Sequence, residues 1–218
     1  MTARWDSGPY LTVPTPLPAS FYARPTLDVA RDLIGMRLVH DTADGTTAGV
    51  IVEVEAYIGE DDPACHAAPG PTPRNQPLYG PPGLAYVYFN YGVHWLANAV
   101  TEAEGWPAAV LIRALEPVEG VALMRQRRAA RRGGDAGEWA GSDADLCRGP
   151  GNLTKALGIT GALNRVSLAD GPLRIERLAP RSQARPIAWS PRIGIRVGLE
   201  RLWRAYVPGH PSVSGRPR

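Results

Sequence analysis

The feature that most constrains the fold is the stretch VEVEAYIGEDDPACH, residues 52–66, where apolar and acidic residues alternate before a turn-forming run. Alternation with a period of two is typical of a β-strand, and it places Glu53 and Glu55 on the same face. Like charges turned towards a core are costly unless they are paired or used chemically. The alternative is a solvated acidic face with the intervening apolar residues packed inside. Both arrangements stay open at this point.

Turn-forming residues and short strand signals dominate the chain, which has 22 prolines and 24 glycines among 218 residues. Short connections between successive runs predict antiparallel neighbours. The segments with strand signals are Arg37–His40, Thr47–Tyr57, 84–92, 94–101 and 108–117. The sequence therefore predicts an α+β domain built on a largely antiparallel sheet.

Helical spacing is confined to a few segments, and these are 25–35, 117–132 and 152–159. The proline-rich segment 67–83 predicts a long loop, and loops of that length inside compact domains are usually functional or disordered. Residues 1–20 show no periodicity, so they are predicted to be an extended arm. Residues 21–218 show no repeat and no clean boundary, which predicts a single domain.

The composition excludes several classes of protein. A hydrophobic content of 44% and a charged content of 21% are those of a globular domain with a substantial core. Two cysteines give no disulfide framework, and we expect a reduced cytoplasmic setting. The first residues lack the apolar core of a signal peptide, and no apolar run approaches the roughly 18 residues that cross a bilayer. No membrane association is expected.

Side chains that could bind a metal surround the end of the acidic strand, namely Glu53, Glu55, Asp61, Asp62 and His66. The HxH, HExxH and CxxC spacings are absent, however, so we predict no metal. Neighbours in sequence rarely point at one another, which disfavours a Cys65–His66 nucleophilic pair. A single carboxylate, Glu55, could instead act as the general base of a glycosidic hydrolase.

The run AYVYFNYG gathers aromatic rings on one predicted strand. Tyr86 and Tyr88 share one face, and ordinary sheet packing would explain the former. Tyr91 follows at the turn, where an exposed ring can act as a wedge between bases. Together, Tyr57, His66 and Tyr88 could form a flat-walled slot for a planar ring.

Arginine carries nearly all of the positive charge, because Lys155 is the sole lysine. The guanidinium group of arginine can form two parallel hydrogen bonds to phosphate oxygens. A nucleic-acid partner therefore stays compatible with the sequence even at a net charge of +3. Arg74 in the long loop and Arg148 before a Gly-Pro-Gly turn are candidate contacts to a DNA backbone. The basic run 125–132 is more typical of a solvated helix surface.

Arg113 stands apart from the other arginines because it follows the apolar run AAVLI. An unpaired charge would be expensive in such surroundings. We therefore expect Arg113 to pair with a carboxylate, and Glu55 and Glu116 are the candidates.

Six separated motifs occur in order along the chain: VEVEAYIGEDDPACHA, GPTPRN, GLAYVYFNYGVHWLANAV, LIRALEP, MRQRR and LCRGPGNLTKALGI. In this combination they resemble the alkyladenine (3-methyladenine) DNA glycosylase family, from Tyr22 to Ser214. The resemblance implies a curved, open-barrel-like sheet surrounded by helices. It also implies a monomer without cofactors that acts on double-stranded DNA with damaged purines, in the cytoplasm and associated with the nucleoid.

The activity that the resemblance implies is base excision without strand cleavage, in which a damaged purine is flipped out and its N-glycosidic bond is hydrolysed. By motif match, Glu55 is the general base that deprotonates the attacking water, and Arg113 holds the water and the carboxylate. Tyr57 and His66 match residues that stack on one side of the flipped base. Tyr88 matches the residue that stacks on the other side.

Three further matched positions lie around the implied pocket. Tyr91 matches a residue that inserts from the minor groove and fills the space vacated by the flipped base. Asn98 matches a residue that crowds the exocyclic amine of an undamaged guanine. The backbone carbonyl of Val213 matches a further ligand of the water.

Two alternative functions remain, a non-catalytic nucleic-acid-binding module and a metal-dependent hydrolase. A binding module has no need of a carboxylate beside a buried arginine, and a metal-dependent enzyme would lose activity in EDTA. The sole lysine lies far in sequence from Glu55, which disfavours a Schiff-base lyase.

The chain departs from the family pattern at the rim of the implied base pocket. These departures, which bear on the substrate range, are Val93, His94, Trp95 and the segment TEAEGWP. The expected substrates are 3-methyladenine and 7-methylguanine. The sequence does not decide whether hypoxanthine and ethenoadenine are also substrates.

Overall fold

The acidic alternation lies in the longest strand of the structure, β3, which is Gly45–Ile58. It runs antiparallel to β2, Arg37–Thr42, across a two-residue turn. Residues 47–56 of β3 are buried on both faces, so a solvated acidic face is wrong. The two carboxylates are therefore inside the molecule, where each needs a partner.

A computed structural model describes residues 14–130, 137–178 and 186–215. Besides β2 and β3, the strands in these ranges are β1 (Thr15–Pro16), β4 (Ala85–Asn90), β5 (His94–Val100), β6 (Ala108–Glu119), β7 (Leu173–Arg177), β8 (Ala188–Ser190) and β9 (Arg204–Tyr206). The sheet order is β1-β7-β2-β3-β6-β5-β4, while β9 pairs with β3 and β8. The recorded pairs are antiparallel. This curled antiparallel sheet confirms the predicted α+β fold.

The helices in the described ranges are α1 (Ala19–Tyr22), α2 (Thr26–Leu33), α3 (Val121–Ala129) and α4 (Pro150–Leu157). The spacing of α2 predicts one apolar face with Leu27, Ala30, Leu33 and Ile34. The structure buries Ala30 and Leu33 together with Val29, while Leu27 and Ile34 are only partly buried. Proline at the first helical position of α4 has its φ already set for a helix. Packing of the helices against the sheet leaves the start of α4 beside β5 and β6.

One predicted helix begins later than its spacing indicated. Pro117 still pairs with Gly49, and Glu119 with Ala48, so these residues extend β6. Gly120 then turns the chain with a φ of +67°, and a Cβ there would meet the carbonyl oxygen of Thr46. The helix α3 therefore starts after this glycine, and residues 131–132 of the prediction lie outside the described residues.

The predicted arm, residues 1–20, lies mostly outside the described residues. At its described end, Thr15–Pro16 pairs with β7 and Leu17 is buried. The long loop 67–83 has the expected irregular path, apart from a short 3₁₀ turn at Gln76–Tyr79. Among the described residues, no helix combines the length and apolar character that would let it cross a membrane.

Candidate active site

A cleft of about 490 Å³ opens beside the end of β3, within the size range of small-ligand sites. Its walls come from β3, the loop that follows it, the β4–β5 hairpin, β6, the start of α4 and residues 193–195. The predicted site residues on these walls are Tyr57, His66, Tyr88, Tyr91, Asn98 and Arg113. The fold therefore brings predicted site residues from three separate motifs to one cavity.

Glu55 is fully buried behind this wall, and its carboxylate accepts three hydrogen bonds. The backbone N–H of Ile193 donates to Oε1 at 2.6 Å. The Tyr57 hydroxyl and Nη1 of Arg113 donate to Oε2 at 2.9 Å and 3.1 Å. All three donors belong to residues that line the cleft, so the carboxylate is held in one orientation directly behind the cleft wall, and Glu55 itself is not among the lining residues.

Glu53 is the second buried carboxylate, and it is held entirely by protein groups. Its Oε1 accepts from Nε of Arg113 at 3.0 Å, Nε of Arg204 at 2.7 Å and the Ser214 hydroxyl at 2.9 Å. Its Oε2 accepts the Ser214 N–H at 2.6 Å. With Glu55, two carboxylates and two guanidiniums form a charge-balanced buried cluster. Glu53 thus braces the arginine that holds Glu55.

Arg113 pairs with Glu55, one of its two predicted partners, and also with Glu53. The other predicted partner, Glu116, lies 3.7 Å from His210 instead. Burial lowers the pKa of Arg113, but the charges of Glu55 and Glu53 more than offset this, so the net shift is upward. The guanidinium is therefore a permanent cation beside the carboxylate.

A β-bulge sets the direction of the Arg113 side chain. On β3, Glu53 pairs with Ala114 of β6, and Val54 pairs with Ile112. Arg113 lies between these two pairs as an extra residue without a partner in the β3 register. Bulges bend a strand and re-aim side chains, and they are common next to active sites.

The predicted aromatic slot is closed between two of its walls. The His66 and Tyr88 rings are in edge contact, with centroids 4.5 Å apart and planes at 63°. This spacing leaves no room for a planar base between these two rings. Tyr57 lines the same cleft and packs against the buried Arg192 guanidinium, 4.6 Å from the ring centroid.

The polar atoms of the aromatic wall are neutral near pH 7. Nδ1 of His66 lies 2.9 Å from the Tyr86 hydroxyl. Burial, and then the charge of Arg74, lower the pKa of His66, while burial raises the pKa of Tyr86 to about 12. The wall therefore carries no charge of its own that would repel a cationic ligand.

The rim of the cleft carries the predicted wedge and one predicted phosphate contact. Tyr91 is 90% exposed at the β4–β5 turn, in the left-handed region with a φ of +48°. Such a conformation is unusual for a residue other than glycine. Arg74 is exposed nearby, where it donates to the Phe89 carbonyl at 3.3 Å and lies over the Tyr88 ring. Both side chains flank the entrance.

Asn98 points into the cleft from β5, and its Nδ2 donates to the Tyr86 carbonyl at 2.9 Å. Val213, in contrast, is not among the lining residues. Its carbonyl accepts a hydrogen bond from Nε of Arg148 at 3.1 Å, and the same guanidinium pairs with Asp145. Arg148 is thus joined to the chain segment that holds Glu53 through Ser214.

The residues considered as metal ligands do not converge. Glu53 is bound by two arginines, Asp62 is bound by Arg192, and His66 contacts Tyr86. In the ranges that the structure describes, no group of three or more His, Cys, Asp and Glu side chains is arranged to hold a metal ion. The carboxylates at the end of β3 therefore act as partners of arginine.

The sequence did not reveal one wall of the site, the segment at residues 192–195. Ile193 contributes a backbone N–H to Glu55, and Arg192 forms a buried ion pair with Asp62. Gly194 and Gly198 adopt positive φ angles, which shape the segment. The motif RIGIRVG contains these glycines, but a backbone donor leaves no trace in the residue type.

Comparison with known proteins gives the family. A family model described as methylpurine-DNA glycosylase matches residues 20–211. A protein of Salinibacter ruber is 47% identical over 210 residues, covering 91% of this chain and 96% of the relative. One of Methanoculleus marisnigri is 48% identical over 202 residues, covering 92% and 99%. Both carry the name "Putative 3-methyladenine DNA glycosylase". The chain therefore belongs to the methylpurine-DNA glycosylase family, whose members are DNA-repair hydrolases of N-glycosidic bonds.

Proposed function

We propose that this protein is a monofunctional DNA glycosylase that flips alkylated purines out of duplex DNA and hydrolyses their N-glycosidic bond with a water activated by Glu55. The substrates are 3-methyladenine and 7-methylguanine, and the product is an abasic site. The observation that carries the proposal is the buried Glu55 carboxylate, fixed by three donors at the edge of a base-sized cleft. Flipping is required because the reacting atom is inaccessible inside the base stack.

In this proposal the attacking water binds to Oε1 of Glu55 after the entering base has opened the cleft wall, because the carboxylate is fully buried in the present structure. An ionised carboxylate has about four lone-pair positions, and among the described residues three are taken by donors. Ile193 takes one position on Oε1, which leaves the other for water. Burial and the charge of Glu55 raise the pKa of Tyr57, so its hydroxyl keeps its proton and remains a donor. Glu55 takes a proton from the water while the water oxygen attacks C1′ of the deoxyribose.

The leaving purine needs no acid when it is already cationic. The electron pair of the glycosidic bond neutralises the charge of a 3- or 7-alkylpurine as the base departs. Stacking of such an electron-poor ring on Tyr57 contributes about 1–3 kcal/mol. The neutral His66 wall does not oppose the positive charge. In this proposal the base enters by separating His66 from Tyr88, which touch in the present structure.

Discrimination against normal guanine falls to Asn98. Its hydrogen bond to the Tyr86 carbonyl fixes the side chain, so the amide cannot swing away from an exocyclic amine. A clash against the wrong base is as effective for specificity as a contact to the right one. Val213 remains a predicted water ligand through its carbonyl, and Arg74 and Arg148 remain predicted contacts to the DNA backbone.

The position of Lys155, the sole lysine, supports the proposed absence of strand cleavage. Nζ of Lys155 donates to the carbonyls of Arg128 and Ala130 at 3.2 Å and 2.8 Å. Lys155 does not line the cleft, so this lysine is not placed to form a Schiff base with the sugar. The protein acts as a monomer without a cofactor on damaged double-stranded DNA, in the cytoplasm and associated with the nucleoid.

Excision from duplexes that each hold one lesion tests the proposed function. The protein is expected to release 3-methyladenine and 7-methylguanine in excess EDTA and to leave abasic sites that nick only after alkali. The same panel, extended to hypoxanthine and ethenoadenine, determines the substrate range. Release of no lesion would contradict the glycosylase proposal, and nicking without alkali would contradict the monofunctional one.

Tyr91→Ala tests the wedge. We expect excision from duplex DNA to fall roughly 5- to 150-fold, because one lost stack is worth about 1–3 kcal/mol. Excision from single strands should change much less, since no partner strand refills the space. Trp106→Ala is the matched control, an aromatic side chain that is 57% exposed but lies outside the cleft wall. An equal loss on both kinds of DNA would argue against a wedge.

A further inference from the structure

Arg192 is a buried arginine immediately before Ile193, whose N–H reaches Glu55. Its side chain and that of Asp62 are both 0% exposed. Nη1 and Nη2 donate to the two oxygens of Asp62 at 2.5 Å and 2.8 Å, which is a bidentate fork. Nη1 also donates to the Ala56 carbonyl at 3.0 Å, one residue beyond Glu55 on β3. The guanidinium therefore ties its own segment to the strand that carries the base.

Asp62 connects the same pair to the other wall of the cleft. Its carboxylate accepts the N–H of Ala64 at 3.2 Å and that of Ile58 at 3.4 Å. Ala64 lines the cleft two residues before His66. One ion pair thus links the end of β3, the turn into the aromatic wall and the segment that holds Glu55.

No strand of the sheet fixes the segment that contains Ile193. The strand β8 ends at Ser190, and β9 does not begin until Arg204. Within the described residues, the recorded contacts of Arg192 are with Asp62, Ala56 and the rings of Tyr57 and Trp203. In a stretch without β-ladder pairing, Arg192 therefore anchors the chain to β3 and to Asp62 at the position directly before the Ile193 N–H.

The Arg192 guanidinium also supports the wall on which the base stacks. It lies 4.6 Å from the Tyr57 centroid and 5.2 Å from the Trp203 centroid. Tyr57 lines the cleft and Arg192 does not, so the guanidinium covers the ring from the side away from the cavity. The pair thus fixes two of the three donors to Glu55, the Ile193 N–H and the Tyr57 hydroxyl.

We propose that Asp62 and Arg192 are positioning residues for catalysis, which hold Ile193 and Tyr57 so that the Glu55 carboxylate keeps its orientation towards the attacking water. This inference rests on the proposed role of Glu55. A displacement of about 1 Å in a reacting group can cost roughly 10²-fold in rate. Lysine cannot replace the fork, because a compact ammonium does not bridge both oxygens of Asp62 and the Ala56 carbonyl in one plane.

The test compares Arg192→Lys, Asp62→Asn and the double variant in single-turnover excision of 7-methylguanine and in affinity for a duplex with an abasic-site analogue. We expect each single variant to excise about 10- to 100-fold more slowly, with an affinity within about threefold of the wild type. The double variant should be no slower than the slower single one, because the two residues act as a unit. Arg201→Lys is the control, since Arg201 is 3.7 Å from Asp62 but partly exposed, and its rate should stay within about twofold.

Two results would overturn the positioning role. One is excision at the wild-type rate by Arg192→Lys and Asp62→Asn. The other is an equal loss of excision, affinity and thermal stability, which would indicate a structural ion pair only. If a single variant does not fold, Asp62→Glu keeps the charge and displaces the carboxylate, with the same expected loss of rate. A wild-type protein that releases no lesion would refute the proposed function itself, which separates the two failures.

Discussion

Glu55→Gln is expected to lower single-turnover excision of 3-methyladenine or 7-methylguanine by about 10²- to 10⁴-fold, the usual contribution of a general base. Glutamine has nearly the same shape as glutamate, and its amide oxygen can still accept from Arg113 or Ile193. The amide cannot take a proton from water, however. The variant should therefore lose the chemical step while the cleft that receives the flipped base persists.

Affinity for a duplex with an abasic-site analogue is the measurement that separates chemistry from binding. It should remain close to that of the wild type in Glu55→Gln. Tyr57→Phe is the matched control, because it removes one donor to Oε2 and keeps the ring. Since one hydrogen bond to a charged group contributes about 1.5–3 kcal/mol, roughly 10- to 150-fold in rate, this control should lose less activity than Glu55→Gln. Excision by Glu55→Gln at more than a tenth of the wild-type rate would refute the proposed mechanism.

Glu53→Gln is expected to have the largest effect on stability, a loss of roughly 3–5 kcal/mol in the free energy of unfolding, as for other broken buried ion pairs. The reason lies in four contacts from donors of Arg113, Arg204 and Ser214. A neutral amide no longer balances the two guanidiniums, and its NH₂ group would face one of these donors. The two buried guanidiniums, of Arg113 and Arg204, would then be balanced only by the single negative charge of Glu55.

Urea titration followed by circular dichroism measures this loss, and thermal melting should show a fall of about 2–4 °C for each kcal/mol in a chain of this size. The control is Glu119→Gln, which removes an ion pair of Arg37 at the partly exposed end of β6. Arg37 keeps Glu176 as a second partner, so the control should cost less than about 1 kcal/mol. Equal effects of the two substitutions would show that Glu53 is not the brace of the buried cluster.

Local patterns in the sequence were sufficient for the central strands and for the presence of the helices α2, α3 and α4, while the roles of the site residues stay predictions. The period of two in VEVEAY predicted the strand β3 and the common face of Glu53 and Glu55. Helical spacing predicted the helix α2 and two residues of its buried face, Ala30 and Leu33, but not Val29. The start of the helix predicted at 117–132 was wrong, because β6 extends through Glu119 and only the pairing with β3 decides where this strand stops. Such pairing is a long-range property that residue periodicity does not contain.

Partner choice inside the site could not be read from the sequence. Arg113 was expected to pair with Glu55 or Glu116, and the bulge in β6 directs it to Glu55 and Glu53 together. The Ile193 N–H became a donor to Glu55 only because residues 192–195 fold back on β3. Neither contact is encoded by the spacing of charged residues.

The sequence by itself determined that two carboxylates share one face of a strand, that Tyr57 and Tyr88 supply aromatic walls, and that arginine is the cation available to them. These properties follow from residue type and from the fixed period of a strand. Only the tertiary structure decided which carboxylate is held by residues that line the cleft and which is the brace. The physical reason is that a buried charge is stabilised by donors, and the donors to Glu53 and Glu55 come from segments as distant as Arg113, Ile193, Arg204 and Ser214.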